Sequence, residues 1–155
     1  MPCSRNLVFQ ALTKLYTNLL VQTYGSMVNV SRSLSDNIAG QAPEATPTAR
    51  LLEEHSRIIY TKANVYGIME VDATLECRMA ANVDQPGLPQ DKINELEAAL
   101  DTMFDPPIVI SDVGQVIVMP RGDRTSNPGS SEAILEYPIT VRFDRVPGSL
   151  EVVNA

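Results

Sequence analysis

The chain has 155 residues, 44% of them hydrophobic, with a formal net charge of −7 and an isoelectric point near 4.6. That length suffices to bury one core, and the excess of acids excludes the basic footprint of a tight nucleic-acid binder and resists an anionic membrane surface. No run approaches the roughly 18 apolar residues of a bilayer span, and the apolar residues after Arg5 are too interrupted for a signal peptide, so synthesis in the cytoplasm without export is expected.

Leu7, Val8, Ala11, Leu12, Leu15, Leu19 and Leu20 recur at helical spacing, with Ser4 or Asn6 as cap and Gly25 as the stop, which predicts a helix over 5–24. Phe9, Tyr16 and Val21 widen its apolar stripe, as expected of a helix touching two layers of its own fold or a neighbouring subunit. Residues 26–30 are read as a short strand. From Ser31 to Ala49 only Leu34 and Ile38 are large aliphatics, so 31–49 is read as a polar arm that gains order on a partner. Residues 49–55 have the composition of two helical turns, and 57–62 the β-branched and aromatic content of a strand, returned through a turn at 63–67.

Met69, Val71, Ala73, Leu75, Cys77 and Met79 alternate with Glu70, Asp72, Thr74, Glu76 and Arg78, the period of a half-buried strand with Leu75 inward and Glu76 in solvent. A turn-rich segment at 82–89 precedes Ile93, Leu96, Leu100, Met103 and Phe104, one stripe of a second helix. Pro106 and Pro107 end it. Short strands are read at 108–111 and 115–119, and 121–131 as a protruding polar loop. Ala133, Leu135, Tyr137, Ile139, Val141 and Phe143 then alternate with mostly polar residues in a closing strand. Within it, Pro138 points to an edge or a bulge. The expected fold is α+β, a mostly antiparallel sheet with two helices packed on one face, in one domain over 1–148 with the arm at about 31–49 and a tail at 149–155.

The chemistry-bearing residues are few. His55 is the single histidine, and Cys3 and Cys77 lack the short spacings of zinc sites, so no metal is expected and a Cys3–Cys77 disulfide is unforced. No nucleophile-elbow, phosphate-cradle or dinucleotide motif occurs around Ser56 or elsewhere. Glu53, Glu54 and His55 form an acid-base trio that reads more simply as a charged helix surface. Glu70, Asp72 and Glu76 share one strand face; as a catalytic or cation-binding row they are weighed against a solvated face with cross-strand Lys or Arg partners, the preferred reading. Arg121-Gly122-Asp123 spells an adhesion tripeptide and is discounted, while Arg121 and Arg124 are placed to touch a partner's acids or a phosphate backbone. No catalytic, cofactor-binding or metal residue is assigned, and the chain is read as no enzyme.

The amphipathic N-terminal helix, the polar segment, the long acidic strand ending at Cys77-Arg-Met-Ala80, the helix Asp91-Lys-Ile-Asn-Glu-Leu-Glu-Ala-Ala-Leu100 and the closing strand over 133–144 together resemble the tail terminator, or tail completion, proteins of long-tailed bacteriophages. The resemblance covers residues 6–146 and lies in the order and length of elements. It implies a structural virion protein at the head-tail neck: a ring, usually of six subunits, that caps the tail tube and joins it to the head connector or stopper. The genome passes through its lumen, and an acidic chain suits a conduit for DNA, because a basic lumen would hold the phosphates back. Another neck or head-tail joining protein is the alternative, and a small enzyme using Glu70, Asp72 and Glu76 a further one.

Overall fold

The computed structural model describes residues 5–25, 28, 30–31, 48–62, 64–80, 88–104, 108–110, 116–128 and 132–144. The arm at 32–47, residues 82–87 of the expected turn at 82–89 (Leu88 and Pro89 are helical instead), the prolines at 106–107, Cys3 and the tail at 149–155 lie outside them.

In chain order the elements are α1 (Arg5–Tyr24), β1 (Val30–Ser31), β2 (Thr48–Thr61), β3 (Asn64–Ala80), α2 (Leu88–Phe104), β4 (Ile108–Ile110), β5 (Val116–Pro120), β6 (Thr125–Pro128) and β7 (Glu132–Asp144). The strands form one sheet in the order β1-β2-β3-β7-β5-β4, and β6 also pairs with β7. Every pairing is antiparallel except the two-residue parallel contact of β1 with β2. The fold is α+β, with β2, β3, β7 and β5 as its antiparallel heart.

One face of the sheet and both helices share a single core. Val71, Ala73, Leu75 and Cys77 of β3, Leu135, Tyr137, Ile139, Val141 and Phe143 of β7, and Ala49 and Leu51 of β2 are buried with Val8, Phe9, Leu12, Tyr16 and Leu20 of α1 and Ile93, Leu96, Leu100 and Phe104 of α2. Removing each such aliphatic side chain from water contributes about 1.5–3 kcal/mol. The widened stripe of α1 is accounted for within the chain: Phe9 and Tyr16 are buried in this core, and the Tyr16 hydroxyl donates to the Glu76 carbonyl at 2.9 Å. Gly25, at φ 72°, donates its N–H to the Val21 carbonyl at 2.8 Å and ends α1 in the left-handed cap that glycine adopts without strain. Lys92 of α2 donates to the Thr23 carbonyl at 3.1 Å, placing a cation at the negative end of α1.

Four expectations are corrected. Residues 49–55 are not helical: β2 runs unbroken from Thr48, so Thr48 and Ala49 also leave the arm. Pairing with β3 along this whole length decides the conformation, and tertiary pairing overrides weak helix propensity. The return turn is tighter than 63–67, since Thr61 pairs with Asn64. The loop at 121–131 contains β6, whose residues Thr125–Pro128 pair with Glu136 to Ala133. Finally, Pro138 lies in a strand flanked on both sides, by β3 and by β5 and β6. In an antiparallel strand the N–H and C=O of one residue point to the same side. The Pro138 carbonyl accepts from Arg121 N–H at 3.0 Å, so its missing donor faces the bend at 121–124, where β5 has ended and β6 has not begun. No ladder hydrogen bond to β3 is lost.

Candidate functional site: the arginine-locked acidic face

The sheet face away from the helices carries the acids that the sequence offers as its strongest chemical candidates. Period two puts Glu70, Asp72, Thr74, Glu76 and Arg78 of β3 on it. From β7, Arg142 faces Glu70 and Thr140 faces Asp72, and from β2, Arg50 faces Glu76. Arg57 reaches the same face only because β2 changes phase. The register shifts between Glu53 and His55, so that His55 faces Asp72 and Arg57 faces Glu70. The extra residue, Glu54, turns the strand by one position. In a ladder that ran on from Glu53 with Glu54 paired, Ser56 would stand opposite Glu70 and Arg57 would point to the helix side.

The acids form two groups. Glu70 accepts from Arg57 Nε at 2.7 Å through Oε1 and from Arg142 Nε at 2.8 Å through Oε2, with Arg142 Nη2 on the same oxygen. Asp72 accepts from Arg57 Nη1 at 3.0 Å and from the Thr140 hydroxyl at 3.0 Å, and Arg121 Nε lies 3.9 Å away. Further along β3, Glu76 accepts from Arg50 Nη2 at 3.1 and 2.9 Å through its two oxygens and from Arg78 Nε at 3.2 Å. Glu70 and Glu76 are only 6% and 5% exposed, although among the described residues both helices pack on the opposite face. The long arginine side chains cover the acids. The expectation that Glu76 faces solvent is therefore corrected, whereas the cross-strand arginine partners expected for this row are present.

This packing fixes the chemistry. The hydrogen bond from Arg142 holds the Glu70 carboxyl below the usual glutamate range, against the upward push of burial and with Arg57 adding to the effect. Burial pushes Asp72 upward, but Arg57 and Thr140 outweigh it and leave the carboxyl lowered. General acid-base work near neutrality needs a carboxyl raised toward the working pH. Here Glu70 and Asp72 are moved the other way and are occupied by guanidinium and hydroxyl donors.

The trio of Glu53, Glu54 and His55 is dispersed by the strand that carries it. Glu53 points to the helix side and pairs with Arg5 Nε at 2.7 Å. Glu54 turns to the opposite face, where it meets the Thr74 hydroxyl and lies 3.9 Å from Arg121. His55 is exposed. Arg121 and Arg124, read as reaching for a partner, bind this chain's own groups. Arg121 Nη2 donates to the Ala73 carbonyl at 3.3 Å, and Arg124 pairs with Asp101 at 2.7 Å and Glu97 at 3.4 Å while stacking 4.6 Å above the Tyr137 ring. Arg124 and the Tyr137 hydroxyl, which donates at 2.6 Å, hold the Asp101 carboxyl below its ordinary value against burial. This α2–β7 lock has no signal in the sequence, because Arg124 and Tyr137 lie 23 and 36 positions from Asp101 without periodicity tying them together.

Cys77 is a free thiol buried under α1, where burial pushes its pKa up to about 12. Among the described residues no group of three or more His, Cys, Asp or Glu side chains is gathered to hold a metal ion, and no helix is long and apolar enough to cross a membrane. No protein-family model matches the chain, and none of the curated proteins compared with it matches either.

Proposed function

We propose that the protein is a structural ring subunit of a phage virion, of the tail terminator kind, closing the tail tube and presenting the surface that joins the head connector. The observation that carries this reading is the acidic face. The acids best placed for chemistry are hydrogen-bonded to arginines on three neighbouring strands, which stiffens a wall and leaves Glu70 and Asp72 unsuited to proton transfer near neutrality. The elements on which the resemblance rests, an N-terminal helix, a long acidic strand, a second helix and a closing strand, occur as α1, β3, α2 and β7. Identical subunits that meet head to tail close into a ring when the rotation between neighbours divides a full turn, and six copies is the number that the resemblance implies. The net charge of −7 suits a passage through which DNA slides.

Deleting the gene from the phage that carries it, followed by electron microscopy, tests the proposal. Overlong or headless tails are the expected outcome. Tails of normal length joined to filled heads would overturn it, and rings located elsewhere in the neck would assign the chain to the other head-tail joining role.

A further inference from the structure

β7, as described, ends at Asp144, which pairs with Ile68, whereas β3 begins at Asn64 and β2 runs on to Thr61. Beyond Ile68 the two strands therefore continue as a two-stranded hairpin with no third strand beside it among the described residues. Hairpins of that kind are marginal in water without a surface to pack on. Among the described residues, the large exposed hydrophobic side chains gather here: Tyr60 at 66% exposure and Tyr66 at 57%, with Ile58 at 38% at the base of the extension. Gly67, at φ 89°, is built into their base. A Cβ there would stand 2.6 Å from Ile58 Cγ2 and 3.3 Å from Tyr60 Cδ1, so Ile58 and Tyr60 close over a bare backbone and form a platform.

The charge of the hairpin is opposite to that of the molecule. From Ile58 to Met69 the sequence has no acid and one base, Lys62, in a chain of net charge −7, while Arg57 behind the tip is paired with Glu70 and Asp72. Among the described residues, exposed acids lie elsewhere, as Asp91 and Glu95 of α2, Asp123 and Glu136. A protruding basic and aromatic tip on an acidic body is complementary to another body of the same kind. Tyrosine anchors with a charged rim are also the composition of protein-protein contact centres.

We infer that the tip of the β2–β3 hairpin docks head to tail on an acidic surface of a second copy of this chain, with Tyr60 and Tyr66 as anchors and Lys62 as the charged rim. The contact is heterologous, since the tip meets a different surface of its neighbour, and this is the kind of contact that propagates around a ring. It deepens the ring reading and rests on it for closure only.

The test uses the full chain, with a photoreactive phenylalanine analogue in place of Tyr66 and an equal mixture of isotopically light and heavy protein to separate crosslinks between copies from those within one. Expected are crosslinks from position 66 to residues outside 55–69 of a second copy. Concentration-dependent association in sedimentation, followed up to about 1 mM, should accompany them. The Tyr60→Ser/Tyr66→Ser double variant and, separately, Lys62→Glu should raise the dissociation constant by about tenfold or more, and added salt should weaken the wild-type contact. The exposed Lys62→Glu keeps the test decisive if the double variant fails to fold. A wild type monomeric up to about 1 mM, tip-to-tip crosslinks, crosslinks only within one chain, or association unchanged in Lys62→Glu would each overturn the inference. So would crosslinking of position 66 to an added duplex DNA oligonucleotide in preference to a second copy. A monomeric wild type leaves the terminator reading to the deletion phenotype, whereas normal tails after deletion overturn that reading and leave a measured self-association standing.

Discussion

Replacing Glu76 by lysine tests whether the acidic face is a buried network or a solvated surface. Glu76 is 5% exposed, and the side chains of Arg50 and Arg78 are 13% and 15% exposed, so all three charges lie at the margin of the interior. Removing one partner of a buried ion pair costs about 3–5 kcal/mol, and lysine adds a like charge beside two guanidiniums. Because the site sits at the edge of the protein and a lysine stem can bend toward water, the low end applies, about 3 kcal/mol for Glu76→Lys. Glu76→Gln keeps the shape and one acceptor and should cost about 1–2 kcal/mol. For a chain of this size the lysine variant then melts roughly 6–12 °C below the wild type. Glu136 faces Glu76 across β3 and β7 but is exposed, so Glu136→Lys should stay within about 0.5 kcal/mol of the wild type. Denaturant titrations of the three variants, with a common slope, give the comparison. Equal midpoints for Glu76→Lys and Glu136→Lys would refute the reasoning, because they would mean that water reaches both positions alike.

Leu75→Asp, one residue along and fully inside the core, buries a carboxylate among Tyr137, Leu51 and the helices; loss of cooperative folding by circular dichroism is expected, and a normal melt would show the strand phase to be wrong. Gly67→Ala meets Ile58 Cγ2 and a left-handed backbone together, so it should cost about 1–2 kcal/mol and speed amide hydrogen exchange in the hairpin more than in the core. Glu70, Asp72 and Asp101 all have folded pKa values below their ordinary values of 4.5, 3.8 and 3.8, so the unfolded chain takes up protons first as pH falls. Their contribution is complete above the ordinary values and is lost as pH drops through the folded ones; Glu70→Gln should flatten this acid limb of stability, and an unchanged limb would show that Glu70 is not its source. Cys77 should react with an aromatic disulfide reagent at pH 8 only on unfolding, since burial keeps it protonated and inaccessible, and prompt reaction in the native state would contradict that burial.

Periodicity made much of this architecture legible. α1 spans the expected residues because its stripe and Gly25 agree, and the stripe of α2 delivers Ile93, Leu96, Leu100 and Phe104 to the core, with Met103 half-buried against it. β7, and β3 from Met69 onward, follow from alternation alone, whereas the sequence reads residues 64–67 of β3 as turn. The first half of β2 is hidden by its composition, since Leu51, Leu52, Glu53 and Glu54 favour helices, and what fixes them as strand is pairing with β3, where Leu51 meets Leu75, Leu52 meets Thr74 and Glu53 meets Ala73, far from any local signal. The strand β6 was hidden for the opposite reason. Thr125, Ser126, Asn127 and Pro128 carry no alternating hydrophobicity and are held by backbone pairing to β7. In the candidate site, alternation named the acidic row and the type of its partners, but the bulge at Glu54, which decides that Arg57 and not Ser56 meets Glu70, is a single extra residue with no sequence mark.

That bulge also explains why an acidic protein concentrates arginines where it does. Surface ion pairs contribute little to stability, and buried ones often no more than a hydrophobic replacement would, so the network on β2, β3 and β7 is better understood as fixing register. A slip of one residue between β2 and β3 would turn every side chain to the other face, putting Arg50 and Arg57 into the core and Leu51 into water. The apolar face forbids that slip through burial, but a slip of two residues keeps apolar inward and is not forbidden by pattern alone. It is opposed on the other face: after a two-residue shift Arg57 would stand opposite Asp72 or Ile68 and Arg50 opposite Arg78 or Thr74, so the bidentate contact of Arg50 with Glu76 would be lost and the Arg57–Glu70 pair displaced. The core therefore chooses between odd and even registers, and the charged face chooses among registers of the same parity. A hairpin that must extend beyond its sheet to meet another molecule needs both choices made, because its tip position is set by the pairing behind it.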